Sequence, residues 1–163
     1  MNKRYFYVLL IFVSHMANSE AYITTDNHMD FRSILGLSGT CFLDPSTSNV
    51  ISISGGLCPS SQIKKGRAAI HHIYAQPNEV IRIKVKSESI PANSLLYTPA
   101  GFYTVSGLPD TPINPDAYTD INTGLSGIIK ITIGGTLTSS APQTNSYTFF
   151  YIIREAIDWN VQP

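Results

Sequence analysis

The stretch Val80-Ile-Arg-Ile-Lys-Val-Lys86 carries the clearest structural signal in this chain. Its apolar residues alternate with three basic ones, so the two kinds of side chain point to opposite faces of a strand. Such alternation is typical of a half-buried strand in an antiparallel sheet with one solvated face. A second apolar stretch, Ala68–Ala75, lies before it, and Gln76-Pro-Asn-Glu79 between the two predicts a hairpin with proline in its turn.

Strand patterns recur along the rest of the chain, whereas no window of eleven or more residues keeps a helical period. The other predicted strands are Leu35–Leu43, Val50–Ser54, Ser94–Thr98, Phe102–Val105, Gly127–Ile133 and Tyr147–Ile153. The segments Ser60–Arg67, Ser106–Gly124 and Gly134–Pro142 are interpreted as a basic loop, a long irregular loop and a connection. About eight short strands separated by turn signals predict an all-β fold, a single antiparallel immunoglobulin-like β-sandwich.

The first 21 residues have the build of a secretory signal peptide. A basic start, Met1–Arg4, precedes the apolar run Tyr5–Val13, and Ser19 and Ala21 supply the small residues of a cleavage site. The apolar run is shorter than the roughly 20 residues that a membrane span needs. We therefore expect cleavage between Ala21 and Tyr22, with export to the periplasm, the cell surface or the extracellular space. No later segment is apolar enough over sufficient length to span a membrane.

The composition of the remaining chain suits one domain with a weak overall charge. Cleavage removes Lys3, Arg4 and Glu20, which leaves nine Lys and Arg against ten Asp and Glu. So small a net charge gives no reason to expect a nucleic-acid partner. We divide the chain into a signal peptide at 1–21, an N-terminal extension at 22–30, a sandwich domain at 31–155 and a C-terminal tail at 156–163.

Two cysteines, Cys41 and Cys58, lie near the ends of predicted strands. In an exported chain an isolated pair predicts one disulfide, because the compartment is oxidising. A bond that closes so short a loop contributes about 3 kcal/mol of stability. The spacing is not Cys-x-x-Cys, and two thiols alone make a poor zinc site, so the redox and metal alternatives have less support.

Several motifs occur in an order that resembles a known family. They are Phe31-x-x-x-x-Gly36, Gly39-Thr-Cys-Phe-Leu-Asp-Pro45, Gly55-Gly56, Ile131-Thr-Ile-Gly-Gly-Thr-Leu137 and Gln143-x-x-Ser-Tyr147. The order resembles the bacterial secreted family catalogued as domain of unknown function 4402, which is similar to the spore-coat-U and fimbrial-subunit group of pilin-like sandwiches. One departure is Asn145, where that family usually has glycine. The resemblance implies an extracytoplasmic, non-enzymatic surface or appendage protein with no catalytic residues.

Two clusters of polar side chains are candidate binding sites. His71 and His72 are adjacent on a predicted strand, so their side chains leave opposite faces and cannot chelate one metal together. Lys64, Lys65 and Arg67 surround a glycine, where an anionic glycan or a lipid headgroup could bind, but a solvated turn is the plainer interpretation.

The long loop is rich in oxygen-bearing side chains of the kind that bind Ca²⁺. They are Asp110, Asn114, Asp116, Asp120 and Asn122. Their spacing fits no calcium-loop signature, and prolines interrupt the segment, so turn formation is the plainer interpretation. We predict no metal site and no cofactor for the chain.

The predicted core follows the inward positions of the strands. It comprises Ile70, Ile81, Ile83, Val85, Ile131, Ile133, Leu137, Phe149 and Tyr151. No Gly-x-Ser-x-Gly elbow is present, and we predict that the protein is not an enzyme.

The sequence is compatible with two functions. The leading hypothesis is a secreted surface or fimbria-like structural subunit of a bacterium, which associates with itself or related subunits by strand addition through residues 22–30. The alternative is a monomeric extracytoplasmic module that binds carbohydrate or protein with the 106–124 loop.

Overall fold

A computed structural model describes residues 20–32, 34–58, 64–90, 94–142 and 156–163, and most of these residues lie in antiparallel β-strands. The predicted signal peptide therefore lies almost entirely outside the described residues, as does the predicted strand Tyr147–Ile153. The described strands are β1 Tyr22–Asn27, β2 Gly39–Leu43, β3 Asn49–Gly55, β4 Lys64–Lys65, β5 Ala69–Tyr74, β6 Val80–Val85, β7 Glu88–Ile90, β8 Leu95–Val105, β9 Thr111–Pro112, β10 Thr119–Asn122, β11 Ile128–Ser139 and β12 Ile157–Val161.

The larger sheet is organised around two long strands, β8 and β11. They pair along their whole length, from Ile129 opposite Val105 to Ser139 opposite Leu95. The other edge of β11 is therefore shared by two strands: its first half pairs with β5 and its second half with β2. Strand β1 continues the sheet beyond β5, whereas β3 and β4 continue it beyond β2. We call these the first arm (β1, β5 and the first half of β11) and the second arm (the second half of β11, β2, β3 and β4).

The change of partner falls at Gly134 and Gly135, in the middle of β11. A side chain on Gly134 would collide with the carbonyl oxygen of Leu43, and Gly135 has a φ of +142° opposite Pro99. The sequence-based prediction of a connection at Gly134–Pro142 was therefore wrong, and so was the division of β8 into two strands around Pro99. Glycines here let backbones approach closely, so both strands continue through the irregular point.

The smaller sheet consists of β10, β6 and β12, with β6 in the centre. The predicted hairpin between β5 and β6 was wrong, because these strands lie in different sheets. Their inward side chains are buried, among them Ile73 on β5 and Ile81 and Ile83 on β6. The turn between them carries the chain from one sheet to the other, with the Asn78 amide donating to the Gly124 carbonyl oxygen at 2.8 Å. The antiparallel all-β sandwich is confirmed.

Most of the predicted core is buried. This holds for Ile81, Ile83, Val85, Ile131, Ile133 and Leu137. Ile70 is the exception within the described residues, because the inward positions of β5 are Ala69, His71 and Ile73, which leaves Ile70 half-buried on the outer face. Phe149 and Tyr151 lie outside the described residues.

Several segments that the sequence left irregular contain strands. The long loop Ser106–Gly124 includes β9 and β10, and Ile113 and Ile121 anchor it in the core. Lys64–Lys65 pairs with the start of β3. Conversely, the strand predicted from Leu35 begins only at Gly39. Residues 22–30 and 156–163 contribute β1 and β12, one strand to each sheet.

Candidate functional site

The disulfide joins Cys41 to Cys58, as the sequence predicts, with Cα atoms 6.0 Å apart. Cys41 lies on β2 and Cys58 follows the end of β3, and both are buried. The bond therefore ties the segment that follows β3 to the buried side of β2. At the predicted cleavage point, Tyr22 begins β1, and its ring stacks on Tyr74 with centroids 4.9 Å apart.

The two histidines point to opposite faces of β5, as predicted. His71 is fully buried, and its Nδ1 lies 3.2 Å from the hydroxyl oxygen of Thr25 on β1. Its Nε2 has no hydrogen-bond partner in the part of the chain that the structure describes. Burial disfavours the charged ring and lowers the pKa of His71 to about 4. His72 is half-buried, with Nδ1 3.3 Å from a carboxylate oxygen of Asp26.

The structure describes two of the three side chains in the predicted basic cluster. Lys65 and Arg67 are exposed, and nothing is described of the Lys64 side chain. The Lys65 carbonyl oxygen accepts from Nε of Arg32 at 3.1 Å, and the Arg67 backbone pairs with Asp30. In these contacts the segment uses its backbone groups, which bind it to the stretch that follows β1.

Four of the five oxygen-bearing side chains of the long loop, those of Asp110, Asp116, Asp120 and Asn122, bond to partners of their own. Asp110 accepts from the Thr104 hydroxyl at 2.5 Å, and Asp116 accepts from the hydroxyl and amide of Ser87. These bonds to Ser87 lower the pKa of Asp116. Among the described residues, no three His, Cys, Asp or Glu side chains lie together as a metal site would require.

A groove on the outer face of the smaller sheet brings together residues that the sequence did not connect. Its volume is about 370 Å³, and it is lined by Arg82, Tyr118, Asp158, Trp159 and Asn160. We call it the Tyr118 groove. Tyr118 comes from the 106–124 loop and Trp159 from the predicted tail, and both reach the site because β10 and β12 flank β6. Two features of the sequence could have pointed to this groove: the solvated face of β6 and the single Trp of the chain.

One ion pair and two cation–π contacts lie at the base of this groove. Arg82 donates through Nε and Nη2 to the two carboxylate oxygens of Asp120, at 2.7 and 2.8 Å. This pairing raises the pKa of Arg82 and lowers that of Asp120. The Tyr118 ring lies over the same face of β6, with its centroid 5.1 Å from Nζ of Lys84 and 6.0 Å from Cζ of Arg82. Such distances are those of cation–π contacts.

The outer face formed by β3, β2, the second half of β11 and β8 has a different character, because two rows of side chains across it are hydroxyl-bearing or apolar. Lys65 of β4, opposite Asn49, lies at the edge beyond these rows. One row across the sheet runs Ile51, Phe42, Thr136 and Thr98, and the next contains Thr40, Thr138 and Leu96. Ile53, further along β3, is 60% exposed. We call these residues the threonine-rich face: Thr40, Phe42, Ile51, Ile53, Leu96, Thr98, Thr136 and Thr138.

Comparison of the chain with protein-family models, with curated proteins and with solved structures gives no match. The family resemblance in the sequence therefore rests on its motifs alone. Within the described ranges, no helix has the length and apolar character needed to cross a membrane.

Proposed function

We propose that this protein is a secreted, non-enzymatic structural subunit of a bacterial surface, and that copies associate through the threonine-rich face. The observation that carries the proposal is the absence of charged side chains from the two rows that cross this face, although several of their members are exposed. A solvated sheet face is normally polar and charged, as on β6. Exposed apolar patches in a sandwich are typical of protein interaction sites.

The chemistry of the face suits contact with a second copy of itself. Packing two uncharged faces together buries no unpaired charge, which would otherwise oppose association. The hydroxyls of Thr40 and Thr138 already lie 3.4 Å apart, so these polar atoms can satisfy one another within a sheet. Face-to-face packing of two sheets is the arrangement that such alternating strands favour.

Strand exchange is a second route to the same assembly. The segment expected to be donated, residues 22–30, supplies β1, which pairs with β5 of its own chain from Tyr22 opposite Tyr74 to Asn27 opposite Ile70. The same pairs could form between two copies if β1 were exchanged, because identical elements make identical contacts in a swapped dimer. Deleting residues 22–30 separates this route from association through the face.

The test is the mass of the mature protein in solution across a range of concentrations. We expect association that Ile51→Lys abolishes, because the new charge would be buried at the interface. Leu125→Lys is the matched control, since Leu125 is 87% exposed in a turn and lies away from this face. A protein that stays monomeric at high concentration, or an Ile51→Lys variant that associates as the unmodified chain does, would refute the proposal.

The binding-module alternative also has an observation in its favour. The 106–124 loop supplies Tyr118, which lines the groove on the smaller sheet. This surface is formed by β6, β10 and β12, in a different sheet from the threonine-rich face. A ligand site in the groove and assembly through the face are therefore compatible.

A further inference from the structure

We propose that the Tyr118 groove binds a neutral glycan. This inference rests on the binding-module alternative and not on assembly through the threonine-rich face. The groove is open, it has a volume suited to one or a few sugar rings, and its lining combines an aromatic ring with acid, amide and guanidinium groups. A few convergent polar groups beside an apolar surface are the usual composition of a small-molecule site.

The Tyr118 ring supplies the apolar surface. It is 61% exposed although it rests over Lys84 and Arg82, so a large aromatic surface stays open to solvent above a fixed base. An aromatic ring already held in place offers a ligand an apolar stacking surface with little further loss of side-chain freedom. The C–H face of a sugar ring is apolar and matches such a surface.

The charges around the groove argue for a neutral ligand over an anionic one. Arg82 is neutralised by Asp120 in a two-bond pair, and Nζ of Lys86 lies 3.1 Å from Oδ1 of Asp158. Asp116, held by Ser87, adds a further negative charge in the field of Lys84. Because cations and carboxylates balance here, an anion would gain little net attraction, whereas hydroxyl groups can both donate and accept.

The polar groups on β12 complete the arrangement. Asp158 and Asn160 both line the groove from alternate positions of the strand. A carboxylate accepts through two oxygens, and an amide both donates and accepts, which is the combination needed for neighbouring hydroxyls of a sugar. Asn160 already accepts from the Gln162 amide at 2.9 Å, which orients its side chain toward donating.

The Trp159 side chain packs on the core opposite Ile83, so binding to the groove is best measured by isothermal titration calorimetry. The mature protein would be titrated with cellohexaose, maltohexaose and chitohexaose, and with a sulfated heparin hexasaccharide as the anionic comparison. We expect a saturable heat of binding with at least one neutral hexasaccharide. Binding should persist at high salt, since no net charge attraction contributes.

Variants assign the binding to the groove. Tyr118→Ala should weaken binding at least tenfold, whereas Tyr118→Phe keeps the ring and should bind within a few-fold of the unmodified protein. Leu125→Ala, at an exposed turn, serves as the matched control and should bind normally. The inference fails if none of the neutral sugars gives a saturable heat of binding, if only the sulfated sugar binds, or if Tyr118→Ala binds as well as the control. Solution mass, measured in parallel, reports separately on assembly.

Discussion

The hydroxyl of Thr25 lies 3.2 Å from Nδ1 of His71, so a buried, titratable ring connects the first strand to its neighbour in the sheet. The contact lies within the β1–β5 pairing, where Thr25 stands opposite His71. On the other side of β5, Ile131 of β11 stands opposite the same histidine. Nε2 of this ring has no hydrogen-bond partner among the described residues, so protonation would place a positive charge in the core.

The free energy of unfolding is therefore expected to decrease as the pH is lowered through a defined window. Burial lowers the pKa of His71 from 6.5 to about 4, so between these values the unfolded chain binds a proton that the folded chain does not. Stability is fully present above about pH 6.5 and is lost as the pH falls toward 4, by an amount on the order of 3 kcal/mol. Urea unfolding at a series of pH values measures the slope.

The variant His71→Leu identifies the group responsible. The leucine cannot titrate, so only the unmodified protein should lose this stability as the pH falls from 6.5 to 4. The unfolding free energy of the unmodified protein minus that of the variant should therefore decrease over this range. Other titrating groups are common to both proteins and cancel in the difference. A constant difference across this window would show that His71 does not govern the pH dependence.

The two faces of the central strands can be tested with a pair of isoleucines. Ile83→Ala should cost about 2–5 kcal/mol, because Ile83 is buried at the centre of the smaller sheet. Ile70→Ala should cost clearly less, since Ile70 is half-buried on the outer face of the larger sheet. Chemical denaturation of both variants measures these costs, and equal losses would contradict the orientation of β5.

Reduction of the disulfide should destabilise the mature protein by about 3 kcal/mol, because the bond closes a short loop. The paired replacement Cys41→Ala with Cys58→Ala should show a loss of similar size and should no longer respond to reductant. Thiol alkylation of the native, oxidised protein provides the complementary check. Reaction at both cysteines before unfolding would disprove the bond.

The close approach at the middle of β11 predicts a strong effect of a single methyl group. Gly134→Ala would place a side chain against the Leu43 carbonyl oxygen, and we expect a loss of more than about 3 kcal/mol or failure to fold. Gly107→Ala is the control, because Gly107 has a positive φ but open space around it. Its cost should be only about 1 kcal/mol. Similar thermal unfolding of the two variants would contradict the partner change at Gly134.

Export has its own measurement. N-terminal sequencing of the protein recovered outside the cytoplasm should begin at Tyr22, since Ser19 and Ala21 form the small-residue cleavage site. Tyr22 then starts β1 directly, and its ring stacks on Tyr74. A mature form that begins before Ser14, or a chain that is never processed, would contradict the prediction.

Local alternation was enough to predict some elements, but it could not predict how they pair. On β6 the contrast between isoleucine and basic residues identified the buried face correctly. On β5 apolar residues occur on both faces of the strand. Ile70 was therefore predicted to point inward, whereas His71 and Ile73 occupy the inward face. The sequence contrast between the two faces of β5 is too small to decide which one is buried.

The candidate binding site could not be predicted from local sequence patterns either. Tyr118 and Trp159 are far apart in sequence, and each stands in a segment with a weak pattern, a long loop and a short tail. Only the pairing of β10 and β12 with the two edges of β6 brings them to one groove. Such long-range pairing depends on the whole core, which local periodicity does not describe.

The shared edge of β11 also has a consequence for the order in which the molecule can fold. Strands β2, β5 and β8 all precede β11 in the chain, and each uses it as a partner. Until residues 128–139 have emerged, these three strands lack the neighbour that satisfies their edges. We therefore expect the chain to remain unstructured until β11 is available as a partner. This delay would suit the proposed export, because an early fold would obstruct passage across a membrane.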